Sequence, residues 1–438
     1  MKAMTIQDLR NKKVAVLGLG VNNRYLADYL RKSGIDFSVV ADWKGPDELS
    51  EKIKNFDVVF RTPGLPYLSE PIQAVRQQGT LIYSQTKLFF DLCPARIIGV
   101  TGTKGKGTTA TLIQKILEKA GRRAYLAGNI GADPFAFLDE VKPDDFVVLE
   151  LSSFQLQDLH KSPHVAVVLK IVPEHLDHHE DFEEYVNAKK SVVRYQTKDD
   201  FTVLNYDSLV AREFANATPA KVFWNSAENE VRPGCYVKNE KILLSGVELM
   251  PVSKVGLLGH FNLENVTAAC AAVVAAGVAD DAAMREVIRD FKGLPHRLEF
   301  VRELKDVKFY DDSFATTPET AVAAISAFES PLVLIVGGSE KKSDYAPLAK
   351  MIAASKIKTL VAIGVTGPKI AALSREAGYN GKVIDQNLSD MGLIVAAANQ
   401  AAEAGDTVLL SPASASFDMF ANYKQRGELF NKFVKKLV

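Results

Sequence analysis

Short apolar runs, several of them ending at glycine, recur along this 438-residue chain and are followed by longer amphipathic stretches. The first, Lys13-Val14-Ala15-Val16-Leu17-Gly18-Leu19-Gly20, predicts a strand, then a helix from about Asn23 to Ser33 and a second strand from Phe37 to Ala41. Further runs at Val58-Val59-Phe60 and Leu81-Ile82 carry the alternation to about Asp91, the order expected of a parallel α/β sheet. The pattern restarts at Arg96. Ile97 to Thr101 reads as a strand, and Leu112, Ile113, Ile116 and Leu117 give one apolar face to a helix opening at about Lys106. Strands at Phe146–Leu149 and Val165–Ile171, then a helix through Tyr185, Ala188, Lys189 and Val192, continue the alternation. Lys221 to Ser253 alternates in strand fashion, and the alanine-rich run from Ala268 to Ala279 predicts a buried helix. Past Gly293-Leu294-Pro295-His296-Arg297, a hinge with a charged exit, four more strands are predicted: Val307–Tyr310, Val333–Val336, Thr359–Ile363 and Thr407–Leu410. The chain therefore reads as α/β with three domains, residues 1–91, 92–294 and 295–438. The outer two are Rossmann-like, and the middle one is a parallel sheet of the P-loop ATPase type.

Composition narrows the partners. The 53 basic and 53 acidic residues cancel, and no basic block marks a nucleic-acid or membrane surface. Cys93, Cys235 and Cys270 are widely spaced and odd in number, which argues against a disulfide framework and fits a reducing cytoplasm. No signal-peptide core or apolar run long enough to span a bilayer is present in the sequence.

The strongest chemistry lies in Thr101-Gly102-Thr103-Lys104-Gly105-Lys106-Gly107-Thr108-Thr109. A glycine-rich turn entering a helix presents backbone N–H groups and the positive end of the helix dipole to an anion. Lys106 adds a point charge for β/γ-phosphates, and Thr108 a hydroxyl for Mg²⁺, although the strict G-x-x-x-x-G-K-[ST] spacing is not met. We read this run as an ATP-binding loop. Glu150, after a buried strand, stands where such sheets offer a carboxylate to Mg²⁺. His175 also follows a strand end; with His178 and His179 it forms H-x-x-H-H, which lacks the cysteines or H-E-x-x-H pattern of a zinc site. Lys189 reads by default as a solvated lysine. Asp42, about 20 residues past Gly18-x-Gly20, is placed to hold a ribose hydroxyl, but the third fingerprint glycine is replaced by Asn23.

The phosphate loop, Gly128-Asn129-Ile130-Gly131, Glu150 to Leu156, Glu174-His175-Leu176-Asp177, Gly293 to Arg297 and Ser411 to Ser416, taken in order, resemble the Mur ligase family over essentially the whole chain. The likeness is greatest to the members acting on UDP-N-acetylmuramoyl-L-alanine and D-glutamate. It implies an ATP-driven amide ligase of peptidoglycan synthesis and cell-wall biogenesis, working through an acyl phosphate, monomeric and cytoplasmic. By motif, Gly102, Thr103, Lys104, Gly105, Lys106, Gly107, Thr108, Thr109, Asn262, Asn265, Arg297 and Asp312 would contact ATP. Thr108 and Glu150 would hold one Mg²⁺, and His175 a second beside a carbamylated Lys189. Val21, Asn22, Asp42, Lys44, Thr62, Pro63 and Gly64 would meet the uridine nucleotide, with Asn129, Ser152 and Gln155 toward the sugar. Thr316, Lys341, Ser416 and Tyr423 would grip the incoming amino acid.

Three residues depart from the family pattern. Gly107 follows the loop lysine where Ser or Thr is usual, a change that resembles folylpolyglutamate synthase. Lys104 replaces a common Asn or His. Phe314 stands where a lysine is general, which leaves open a related ligase adding a different amino acid. A dinucleotide oxidoreductase would rest on Gly18-x-Gly20 alone and leave the phosphate loop unexplained.

Overall fold

The computed structural model describes residues 3–176, 178–340, 343–386 and 388–438, with the backbone only at 21 and 22. The first sheet holds β1 (Val14–Leu17), β2 (Phe37–Val40), β3 (Val58–Arg61) and β4 (Leu81–Ser84), all parallel in the order β2-β1-β3-β4. Alternate residues of its inner strands face opposite cores, as a two-sided sheet requires. Val14, Val16, Val58 and Phe60 pack with Leu26, Leu30 and Leu88. Ala15, Leu17 and Val59 pack with Leu49, Ile53, Ile72 and Val75.

The second sheet has nine strands: β5 (Arg96–Thr101), β6 (Ala124–Gly128), β7 (Phe146–Glu150), β8 (Val165–Val168), β9 (Phe201–Asn205), β10 (Lys221–Ser226), β11 (Gly234–Lys238), β12 (Lys241–Leu244) and β13 (Val247–Pro251). Their order is β13-β12-β11-β10-β9-β8-β5-β7-β6, parallel except for the β11-β12 and β12-β13 pairs. The predicted helix opens at Lys106 and runs to Lys119. The alanine-rich helix is longer at its front than expected, spanning Phe261–Ala275.

The third sheet comprises β14 (Glu299–Leu304), β15 (Val307–Asp311), β16 (Leu332–Gly337), β17 (Ile357–Ile363), β18 (Lys382–Ile384) and β19 (Thr407–Leu410), in the order β14-β15-β19-β16-β17-β18. Only β14 is antiparallel to its neighbour. By compactness the chain forms two units. Residues 1–254 and 263–289 make the first, which contains the first two sheets; residues 255–262 and 290–438 make the second.

Candidate active site

The phosphate loop lies between β5 and the helix Lys106–Lys119 in the first unit. Two of its glycines are dictated by geometry. Gly102 has φ +148°, and a Cβ there would lie 2.7 Å from the Leu169 Cβ; Gly105 has φ +84°, and its Cβ would sit 2.1 Å from the Asn265 Oδ1. Gly105 is also the helix N-cap and supplies no side-chain acceptor, so the first-turn N–H groups face the loop without a side-chain cap. The Lys106 Nζ folds back over this turn, donating to the carbonyls of Thr103 (2.9 Å) and Gly102 (3.2 Å). Thr109 donates to the Asn265 Oδ1 at 3.2 Å, Thr108 is buried, and Lys104 is ion-paired with Glu174.

Glu150 ends β7, in register with Val100 of β5, which places its buried carboxylate at the same sheet edge as the loop. Lys189 is not solvated but 1% exposed. It lies four residues past Tyr185 on the helix Phe182–Arg194, and that spacing puts both on the face turned inward. Its Nζ donates to the Gly102 carbonyl at 2.9 Å and lies 4.6 Å from the centre of the Tyr185 ring. Burial first, and then the Lys106 charge, hold its pKa well below the lysine range; Glu174 and Glu150 oppose them. Lys106, Lys189, Glu150 and Glu174 thus share one electrostatic neighbourhood.

His175 is exposed, with φ +58°, an uncommon backbone state for a non-glycine residue. The ring of Phe154 lies 5.0 Å from His175, 4.1 Å from His178 and 5.5 Å from His179, so the three imidazoles surround a phenyl group. His179 is engaged by Ser153 at 2.9 Å and by Glu184 at 3.1 Å. Asp177, in the same motif, lies outside the described residues.

At the first sheet, the loops after β1, β2 and β3 leave its carboxyl edge together, carrying Gly18–Gly20, Asp42 with Lys44, and Thr62-Pro63-Gly64. Asn23 accounts for the missing fingerprint glycine: its buried amide donates to the carbonyls of Leu17 (3.0 Å) and Gly18 (3.2 Å) and so ties the turn. Val21 and Asn22 open the helix Val21–Lys32, their side chains lying outside the described residues. The Asn129 N–H donates to the Glu150 carbonyl at 3.4 Å. Ser152 and Gln155 form a reciprocal capping box, and Gln155 lines a cleft with Gln85, Thr86, Phe89, Gly128 and Leu151.

The second unit holds a separate cluster. The Arg297 guanidinium lies 3.7 Å from the centre of the Phe314 ring, and Tyr423 meets that ring edge-on at 5.0 Å. Asp312 is buried, accepting from the Ser411 hydroxyl at 2.8 Å and the Leu298 N–H at 3.2 Å; burial pushes its pKa up to about 7. Among the described residues, His296, Glu299 and Asp311 bring three ligating atoms within 4.8 Å. They are engaged with one another: the His296 Nδ1 meets the Asp311 Oδ2 at 2.7 Å, and the His296 N–H donates to Glu299 at 2.8 Å. Gly427 packs so closely on this pair that a Cβ there would lie 2.2 Å from the His296 Nδ1. Asn262 donates to the Leu258 carbonyl at 2.6 Å. Ser416 is buried, Thr316 and Tyr423 are half-buried, and Lys341 lies outside the described residues.

Sequence reasoning missed Arg426. It is fully buried and donates to the Ser313 Oγ and the Ser313 carbonyl at 2.9 Å each, to the Ser414 carbonyl at 3.1 Å and to the Ala415 carbonyl at 3.3 Å. It thereby joins the segments that carry Thr316 and Ser416. The signal was its spacing with Phe430 and Val434, which sets an arginine on an apolar helix face.

The first unit carries a glycine-rich loop between a strand and a helix of a mostly parallel sheet, and a second α/β unit follows it. Residues 100–273 match the Mur ligase middle domain, and residues 296–414 match the Mur ligase, glutamate ligase domain. The chain belongs to the Mur ligase family. It is 41% identical to the UDP-N-acetylmuramoylalanine–D-glutamate ligase of Acetivibrio thermocellus, over 98% of this chain and 97% of that one. It is also 41% identical to the enzyme of the same name from Symbiobacterium thermophilum, over 97% and 98%. The fold is similar to that of the MurF ligase from Thermotoga maritima in complex with ADP, with a TM-score of 0.62 and 16% identity over 99% of this chain and 97% of that one.

Proposed function

We infer that the chain joins D-glutamate to the alanyl carboxylate of UDP-N-acetylmuramoyl-L-alanine at the expense of ATP, a step of peptidoglycan precursor synthesis. The observation that carries this reading is near-full-length identity to ligases of that name, combined with an intact phosphate loop whose Lys106 shares its neighbourhood with Glu150 and Lys189. In the first half-reaction the substrate carboxylate oxygen attacks the γ-phosphorus, giving an acyl phosphate and ADP. The amine of the amino acid then attacks the acyl carbon, and phosphate leaves with the C–O electron pair. Lys106 and the loop N–H groups, with Thr103, Lys104, Gly107 and Thr109, hold the phosphates where negative charge converges. Asn262, Asn265, Arg297 and Asp312 are our further nucleotide contacts.

The donor chemistry fits Mg²⁺. Thr108, Glu150 and His175 supply a hydroxyl, a carboxylate and an imidazole, and Lys189 becomes an oxygen donor once carbamylated. Burial favours that modification by disfavouring the charged form of the amine, and among the described residues no carboxylate stands at ion-pair distance from Lys189. When bound, two such ions neutralise phosphate charge. Val21, Asn22, Asp42, Lys44 and Thr62 to Gly64 take the uridine nucleotide in this reading, and Asn129, Ser152 and Gln155 the sugar. Thr316, Lys341, Ser416 and Tyr423 take the amino acid. We read three domains, 1–91, 92–294 and 295–438, a reading supported by the presence of one sheet in each span. Among the described residues no helix is long and apolar enough to cross a membrane. We place the enzyme in the cytoplasm as a monomer.

The test is phosphate release from ATP and Mg²⁺ with UDP-N-acetylmuramoyl-L-alanine and a panel of amino acids. Release with D-glutamate and not L-glutamate is expected. Release with another amino acid alone would move the specificity and keep the mechanism; no release with any would overturn the reading.

A further inference from the structure

Phe314 leaves the end of β15 in the turn Asp312-Ser313-Phe314-Ala315, and its N–H donates to the His296 carbonyl at 3.0 Å. That bond ties it to the segment holding Arg297, where His296 and Leu298 on either side both have positive φ (62° and 44°). The guanidinium of Arg297 lies against the ring face, 3.7 Å from its centre. Tyr423 stands perpendicular to that ring at 88°, with 5.0 Å between the ring centres, and its backbone carbonyl accepts from the Ser313 hydroxyl at 2.8 Å. All three side chains are half-buried, a setting in which a cation over an aromatic face is only partly screened by water. A lysine at 314 would put an ammonium against the guanidinium and repel it. A phenyl group there does the opposite.

We propose that Phe314, braced by Tyr423, is a positioning residue that holds the Arg297 guanidinium flat and so sets the affinity for the nucleotide. The inference rests on the assignment of Arg297 as a nucleotide contact made above. Phe314 is then a different way of managing charge at this turn, in which an aromatic face orders the arginine.

The experiment is a double-mutant cycle on the full chain, titrating Mg-ADP by calorimetry and recording the thermal midpoint of each variant. Phe314→Leu keeps an apolar side chain and removes the π face. It is expected to weaken Mg-ADP binding roughly three- to tenfold with little change in midpoint, and Phe314→Trp to restore binding. In the Arg297→Ala background, Phe314→Leu is expected to have no further effect. Equal fold losses in both backgrounds, or a silent Phe314→Leu where Arg297→Ala weakens binding, would overturn the inference and leave the Arg297 assignment standing. An Arg297→Ala variant with unchanged affinity would overturn that assignment, and this inference with it.

Discussion

Lys189 illustrates how little a residue's type says about its state. Its amine is enclosed by the Gly102 carbonyl, the Thr101 hydroxyl and the Tyr185 ring, and nothing in the letter K distinguishes it from its half-buried neighbour Lys190. Only the i, i+4 relation to Tyr185 pointed inward, and a lysine on an apolar face ordinarily extends its tip to water. We expect ¹³C-bicarbonate to give a carbamate carbonyl resonance in the wild-type protein. Lys189→Gln should lose both that resonance and at least about a hundredfold in turnover; an unchanged resonance would reject the assignment. Asp312 gives a second test. Its folded pKa of about 7 lies above an ordinary aspartate value near 4. Between those values the native state keeps a proton that the unfolded chain releases, so this group's contribution to stability falls as pH rises through that window. Asp312→Asn should remove the dependence. It should leave stability near pH 4 unchanged and raise it above pH 7 by up to roughly 4 kcal/mol, read from denaturant midpoints at matched pH. The Ser411 hydroxyl can reverse its bond to meet the new amide.

At the level of elements, short apolar runs were the legible part. β1, β2, β3, β5, β7, β16 and β19 were all expected from such runs, with ends differing by a few residues at most. Other strands were hidden for identifiable reasons. β14 breaks the period-2 pattern, with Phe300-Val301 and Arg302-Glu303 as like pairs and a register shift between Phe300 and Arg302, and its hairpin to β15 turns at Lys305-Asp306, both with positive φ but with neither the Gly nor the Asn that normally announces such a turn. The three-residue β18 sits at a sheet edge and is too short to show a period. A buried charge pair was equally invisible. Arg61 ends β3 and reaches Asp158 just after the short helix Ser153–Leu156, at 2.7 Å with both side chains fully buried. The same guanidinium donates to the Phe154 carbonyl at 2.7 Å, so the pair fixes the segment whose phenyl ring packs against His175. Asp158→Ala leaves a buried cation and should cost about 3–5 kcal/mol, whereas replacing both partners with Met and Leu should cost markedly less. Chemical denaturation of the two variants checks the ordering.

The whole molecule was legible as a succession of three sheets but not as two units, because the segment 255–262 belongs with the later residues although 263–289 does not. Leu258 packs into the apolar core of the second unit, and a Cβ on Gly259 would meet Ala327 at 3.2 Å. The chain therefore passes from one unit to the other three times, at 254/255, 262/263 and 289/290. Sequence patterning cannot reveal this, since eight residues are too few to carry a period of their own. It matters for shuffling genes between relatives. A chimera joined only at residue 290 keeps one parent's Leu258 and Gly259 against the other parent's core. One that also transplants 255–262 keeps that packing native. The second should melt several degrees higher at equal overall identity, and equal midpoints would show that the segment adapts freely. This ligase is in that sense interleaved rather than strung end to end. Recombination at the obvious joint disturbs an inheritance written eight residues long and some thirty residues upstream.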